Sequence, residues 1–385
     1  MRLIYLDNAA TSFPKPRCTV QAMADVLETS GANPGRAGHR LSLAAGRIIE
    51  ICRQHIAEML GEAGASRGAF RHRESRVAFA QNTTDALNMA IHGAVHTGDH
   101  VVSTLMEHNS VLRPLSELAR SGIITLTLVP PDADGRIHAQ EIERALTART
   151  RLVAMTHMSN VLGLEQDVAS VGAVCRRRGV LFLVDAAQTA GHVPLKPGKW
   201  GCTMLAMPGH KGLLGPHGTG ALWVRNGVTL APLRQGGTGS ASESMFQPRM
   251  MPDSLESGTL NLPGIAGLDA GMRFALAHAR EAHETTAALC GMMREALQNM
   301  TNVRVYTKEG ASLLSFNVEG MASQVVAAAL DEQNIAVRGG LHCAPGVHRF
   351  LGTLNIGAVR VSPGLMNTAA EAKKLIDAVW RIAKG

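Results

Sequence analysis

The chain has 385 residues, 45% of them hydrophobic and 18% charged, which allows a large core and excludes a disordered tail or a mini-protein. No apolar run reaches the roughly 18–20 residues of a bilayer span, so a membrane protein is excluded too. The formal charge is +7, from 38 basic and 31 acidic residues, and only 3% of residues are aromatic. That offers no stacking platform for nucleic-acid bases and suits an anionic small substrate or cofactor.

The opening MRLIYLDNAATSFPKP lacks a basic region, an apolar core and a cleavage site, and reads as no secretory signal. Residues 41–60 carry apolar side chains at three- and four-residue intervals, which predicts an amphipathic helix. GEAGASRGAFRHRES then holds Arg67, Arg71, His72 and Arg73, with Arg76 just beyond, and reads as a solvated loop. RVAFAQNTTDALNMAIHGAV reads strand, turn, helix. HVVSTLMEHNSVLRPL and GIITLTLVPP add two short apolar runs. RLVAMTHMSNVLG, a helix near 167–178 and GVLFLVDAAQTAGH repeat the rhythm. TMLAMPGHKGLLGPHGTGALWVR sets two strand-like runs around a glycine-rich loop. Such repetition predicts an α/β fold with a mainly parallel sheet between helices, and functional residues at the strands' carboxyl ends.

Beyond residue 225 the pattern changes. RQGGTGSASESMFQPRMMPDSLESGTLNLPG is too polar for a core and reads as a long loop. Helical spacing returns from 264 to about 300. SLLSFNVEG, a helix at 322–333, IAVRGG and GAVRVSPGL form a smaller α+β unit. The last helix starts from a cap at Asn367 or Thr368.

Three local features share one chemistry. Lys211 in GHKG is flanked by glycines and apolar residues, where partial desolvation favours a free amine suited to a Schiff base. Asp185 follows an apolar strand, where a carboxylate can hold a protonated pyridine nitrogen, and Gln188 is placed to reach a phenolic oxygen of the same ring. Asn82-Thr83-Thr84-Asp85 opens a helix, and hydroxyls with free N–H groups there form a phosphate cup. Alone, GHKG is a surface turn's pattern and NTTD a plain helix cap. Pyridoxal 5′-phosphate is the cofactor that needs all three parts. No cysteine or histidine spacing points to a metal.

With YLDNAAT, EHNSVLRPL, HMSNVLG, DAAQTAGH, GHKGLLGPHGTGALWV, ESGTLNLPG, RGGLHCAP and VRVSPGLMNT in order from residue 5 to 368, the chain resembles class V aminotransferases of the cysteine desulfurase (NifS/SufS-like) and selenocysteine lyase-like family. The resemblance implies the fold type I architecture of pyridoxal-phosphate-dependent transferases. In it, a large domain with a mainly parallel seven-stranded sheet between helices (21–262) joins a smaller α+β C-terminal domain (263–385) carrying a cysteine loop. Residues 1–20 are expected to pack with the small domain.

The resemblance also implies roles. Lys211 is the Schiff-base lysine, Asp185 pairs with the pyridine nitrogen and Gln188 with the ring oxygen. His108 stacks on the ring and takes part in proton transfer. Thr84, the backbone of Thr83, and His210 hold the phosphate. Thr259 reaches the phosphate of a neighbouring subunit in a homodimer with shared sites. Asn160 and Arg360 bind the substrate, Arg360 clamping its α-carboxylate, with Asn33 a further candidate. One departure stands out: Pro208 occupies the place of a phosphate-binding Ser or Thr, so one phosphate bond is expected to be missing.

The six cysteines, Cys18, Cys52, Cys175, Cys202, Cys290 and Cys343, show no paired spacing, which suits a reducing cytoplasm. Cys343 follows two glycines and precedes a proline, so it belongs to a loop. Arg338, His342 and His348 nearby in sequence are expected to favour its thiolate. Cys343 is then the acceptor of sulfur from L-cysteine, and a sulfur-acceptor protein follows. Two alternatives use the same residues differently: a lyase acting on L-selenocysteine, and a non-catalytic sulfur relay or nucleic-acid-binding protein on a decayed fold.

Overall fold

The computed structural model describes residues 3–34, 38–62 and 76–384. Arg67, Arg71, His72 and Arg73 of the basic loop lie outside them. Among the described residues the strands are β1 (Ile4–Tyr5), β2 (Val77–Ala80), β3 (Asp99–Thr104), β4 (Ile124–Val129), β5 (Thr150–Thr156), β6 (Leu181–Asp185), β7 (Met204–Pro208), β8 (Gly220–Val224), β9 (Val303–Val305), β10 (Leu314–Val318), β11 (Ile335–Ala336), β12 (Arg338–Gly340) and β13 (Ala358–Val361).

Seven of them form one sheet in the order β2-β8-β7-β6-β5-β3-β4. Only β8 runs antiparallel to its neighbours, β2 and β7. The sheet is thus mainly parallel, as the alternating pattern predicts. Its strands read as continuous apolar runs because both faces are buried and alternate side chains enter different cores. In β6, Phe182 and Val184 join one core and Leu183 the other. Helices Arg40–Met59, Val168–Arg178 and Leu262–Ala277 supply the first, and Thr83–Ala94 and Asn109–Arg120 the second.

The periodic segments form helices close to their predicted bounds. Asp167 caps Val168–Arg178 by accepting from Ser170 N at 3.0 Å, and Gly179, with φ 67°, ends it. The run after 264 is two helices, Leu262–Ala277 and Ala279–Gln298, broken at His278. Thr368 caps the last helix in a reciprocal pair with Glu371: Thr368 Oγ1 accepts from Glu371 N at 3.3 Å, and Glu371 Oε2 from Thr368 N at 3.0 Å.

A four-stranded antiparallel sheet, β12-β13-β10-β9, has a core of its own. β1 pairs in parallel with β11, and Ile4 and Leu6 enter this same core. No helix of the described residues is long and apolar enough to cross a membrane.

The polar segment 226–261 forms no helix or strand among the described residues, yet one of its charges is buried. Glu256 accepts from Arg53 Nη1 at 2.7 Å, from Arg53 Nη2 at 3.1 Å and from Phe79 N at 2.6 Å. Arg53 is 4% and Glu256 8% exposed. This pair fastens the ESGTLN stretch to the edge strand β2. Glu256→Ala leaves the buried guanidinium with only the more exposed Glu50, 3.5 Å from Nε, as a carboxylate partner, and is expected to cost about 3 kcal/mol of stability, read as a lowered urea midpoint.

Candidate active site

β2 and β7 both run against β8, so the carboxyl ends of β2, β3, β5, β6 and β7 share one edge of the sheet. A cavity of about 270 Å³ opens there, lined by Thr83, Thr84, His108, Asn160, Asp185, Gln188, His210, Lys211, Cys343 and Arg360 among others. A larger cavity of about 540 Å³ shares only Met158 with it and holds none of the residues singled out in the sequence.

At one end lies the first turn of Thr83–Ala94. A helix leaves its leading N–H groups without intrahelical partners, and here Asn82 Oδ1 accepts only that of Asp85, at 2.9 Å. Thr84 Oγ1 stands 2.7 Å from Ser110 Oγ, which in turn is 2.9 Å from His108 Nδ1. Ser110 N also donates to Nδ1 at 3.0 Å. With Nδ1 accepting, the ring proton is assigned to Nε2. Burial, then the charge of Lys211, lowers the His108 pKa to about 4, so the ring is neutral near pH 7.

Asp185 ends β6, buried, with Oδ1 accepting from Ala187 N at 2.9 Å. Burial raises its pKa, while the Ala187 N–H and the Lys211 charge pull it down. Lys211 follows β7 by three residues, and burial brings its pKa to about 8 against the opposing influence of Asp185. Gln188 donates to Ala9 O at 3.2 Å from the same wall. His210 is neutral, its pKa lowered to about 4 chiefly by burial, and its Nδ1 is buried with no partner among the described residues.

The smaller sheet supplies the opposite wall. Arg360 on β13 donates to Asp7 Oδ1 at 2.9 Å and to Asn160 O at 3.1 Å. Asn160 Nδ2 donates to His342 O at 2.7 Å, and Asn109 N to Cys343 O at 2.7 Å. The cysteine loop is therefore tied at two successive carbonyls, to the loop that follows β5 and to the start of the helix Asn109–Arg120. Cys343 is exposed and lines the cavity, whereas Cys52, Cys175, Cys202 and Cys290 are buried. Burial raises all four of those thiols, Cys175 and Cys290 to about 12.

Residues 4–375 match the class-V aminotransferase family. The chain belongs to this family. It is similar to a probable cysteine desulfurase of Methanothermobacter thermautotrophicus, 34% identical over 99% of this chain and 94% of that one. It is also similar to a cysteine desulfurase of an Enterobacter strain, 31% identical over 99% and 93%. Among solved structures, an apo cysteine desulfurase of Thermococcus onnurineus matches with TM-score 0.89 and 32% identity over 100% of this chain and 95% of that one. The cysteine desulfurase CsdA (S-sulfonic acid) of Escherichia coli matches with TM-score 0.88 and 26% identity over 99% and 95%.

On this class-V scaffold two expected residues stand apart. Asn33 and Thr259 are exposed and do not line the cavity. The expected help of histidines for the Cys343 thiolate is corrected by their burial. His342 Nε2 donates to Ala358 O at 3.0 Å with its pKa lowered to about 3, and His348 Nδ1 pairs with Thr353 Oγ1 at 2.8 Å with its pKa lowered to about 4. Neither carries charge near neutrality. Arg338 is the cation of that set lining the cavity. Sequence reasoning passed over Ser110 and Asp7, although both stand inside quoted motifs, EHNS and YLDNAAT.

The neutral amine is the reactive form of a lysine. In cofactor-free protein, labelling of Lys211 by an amine-acylating reagent should therefore rise with pH around a midpoint near 8 rather than 10.5, followed by mass spectrometry. Asp185→Asn removes the influence that raises the midpoint and should move it lower.

Proposed function

We propose that this chain is a pyridoxal 5′-phosphate-dependent cysteine desulfurase, converting L-cysteine to L-alanine and taking the sulfur onto Cys343 as a persulfide. The observation that carries the reading is the convergence of Lys211, Asp185, His108, Arg360 and an exposed Cys343 on one cavity. The residues present fit the cofactor. His210 Nδ1 is a buried polar atom without a partner among the described residues, Thr83 and Thr84 of the Thr83–Ala94 N-terminus line the same cavity, and Ser110 Oγ, 2.7 Å from Thr84 Oγ1, adds a hydroxyl there.

Lys211 would hold the cofactor through its amine, Asp185 through the ring nitrogen, Gln188 through the ring oxygen, and Thr83, Thr84 and His210 through the phosphate. Pyridoxal 5′-phosphate, when bound, supplies an electron sink for bonds at the substrate α-carbon. Arg360, with Asn160 beside it, receives the α-carboxylate and orients the substrate. Lys211 Nζ, its pKa brought down to about 8 by burial, takes and returns the proton at Cα. His108, with its proton on Nε2 and its ring lining the cavity, would face the cofactor ring and take part in proton transfer. The Cys343 thiolate attacks the substrate sulfur. An S–S bond forms, the Cβ–S bond breaks, and the electron pair left on carbon is protonated to give alanine.

Thr259, exposed and away from this cavity, serves the phosphate site of a second copy of the chain in a homodimer. The exposed persulfide is open to an acceptor protein, and free thiols suit a reducing cytoplasm.

Cys343→Ala should lower alanine and persulfide formation from L-cysteine by at least about a hundredfold, with the visible absorbance of the lysine-bound cofactor retained. Turnover at the unmodified rate would remove Cys343 from the reading. Side-by-side rates on L-cysteine and L-selenocysteine test the substrate: a variant lacking the thiol that still acts on the selenium compound alone points to a lyase.

A further inference from the structure

We propose that Asp7 is a positioning residue for substrate selection, fixing the plane of Arg360 so that the guanidinium can receive the α-carboxylate. The inference rests on the reading of Arg360 as that receptor. Arg360 is 2% and Asp7 19% exposed. Its Nη2 donates to Asp7 Oδ1 and its Nη1 to Asn160 O, while Nε is buried without a partner among the described residues. Two of its groups are thus spent on fixing the fork.

The backbone leaves Asp7 little freedom. Leu6 N donates to Ala336 O at 2.9 Å, Ser362 N to Leu6 O at 2.7 Å, and Asn8 N to Ser362 O at 3.1 Å. These bonds stitch both neighbours of Asp7 to the elements beside Arg360. The Tyr5 hydroxyl donates to Asp7 O at 3.2 Å. Farther along, Ser12 N, Thr11 Oγ1 and Lys15 Nζ all donate to His210 O, at 3.1, 3.0 and 2.7 Å. One short segment therefore sets the arginine on one wall of the cavity and the carbonyl next to Lys211 on the other.

Asp7 has two opposed effects on an incoming carboxylate. It orients the receptor, and it cancels part of its charge. Orientation wins here, because bidentate recognition needs a fixed guanidinium plane. The cancelled charge is made up by Arg338, which lines the same cavity.

The test uses holoenzyme of the parent chain and of Asp7→Ala, Asp7→Asn, Asp7→Glu and Arg360→Lys. Each is titrated with L-cysteine and with cysteamine, an aminothiol lacking the carboxylate, by the change in cofactor absorbance, and turnover of L-cysteine is measured. Asp7→Ala should raise KM for L-cysteine about tenfold or more, keep kcat within about threefold and leave cysteamine binding within about twofold. Asp7→Asn, which retains an acceptor of the same shape, should recover part of the loss and serves if the alanine variant does not fold. Asp7→Glu should recover less, its longer reach tilting the fork. An Asp7→Ala KM within twofold of the parent, or equal weakening of both ligands, overturns the proposal. If Arg360→Lys also leaves the preference for L-cysteine over cysteamine intact, the receptor reading itself has failed. If Arg360→Lys abolishes that preference and Asp7→Ala does not, only the role of Asp7 falls.

Discussion

The site depends on an amine and a carboxylate kept out of water at the ends of two adjacent strands. Asp185 stands in register with Ala206 of β7, and Lys211 lies five residues beyond that alanine. Desolvation works against both charges, pushing Asp185 up and Lys211 down, and each partner partly offsets the shift of the other. Such a pair is weak evidence for stability and good evidence for chemistry. After β7 the chain turns tightly, with Leu214 N donating to Lys211 O and Gly215 N to Gly209 O, each at 2.8 Å. A Cβ on Gly209 would lie 2.1 Å from Thr219 Oγ1, and one on Gly212 2.4 Å from Ala190 O. The glycines on either side of His210-Lys211 are thus set by close packing of the turn.

The cysteine loop solves a related problem on the facing wall. His342 and Cys343 both take left-handed backbone, at φ 49° and 56°, a conformation that costs non-glycine residues of order 1–3 kcal/mol each. The bonds from Asn160 and Asn109 to the two carbonyls offset that cost and aim the thiol into the cavity. Pro345 then begins the helix Pro345–Leu351 without a wasted N–H, and Gly346 lets that helix approach Leu105 O, where a Cβ would stand at 1.9 Å. The loop is short and pinned at both ends, so the thiol's place is a product of the fold.

Much of this is legible in the sequence. Helical periodicity located Arg40–Met59 and Val168–Arg178 because both bury one face on the sheet, and residues at strand ends converge because parallel strands end together. What stayed hidden depended on direction. Adjacency in sequence placed His342 beside Cys343 but said nothing of its ring, which turns into β13 and becomes neutral. The capping role of His108 toward Ser110 N needed the turn geometry, and Asp7 needed the pairing of its segment with Ser362, over 350 residues away. Asn33 and Thr259 could be named only by resemblance, since neither touches the cavity in a single chain.

The basic balance of the chain also takes on a local meaning. Lys211, Arg338 and Arg360 gather around one cavity, against the carboxylates of Asp185 and Asp7. An anionic phosphate and an anionic substrate would each add charge there, so a surplus of cations on the protein side is what electrostatics demands. The two carboxylates are not idle in that balance. Each is bonded so as to orient a partner as well as to temper it. Asp185 is set by the Ala187 N–H beside Lys211, and Asp7 by the strand-like backbone on either side of it. Attraction alone would draw any anion into this pocket. Under the proposed reading, fixed geometry at Lys211 and Arg360 would favour a molecule whose carboxylate and amine are spaced as in an α-amino acid.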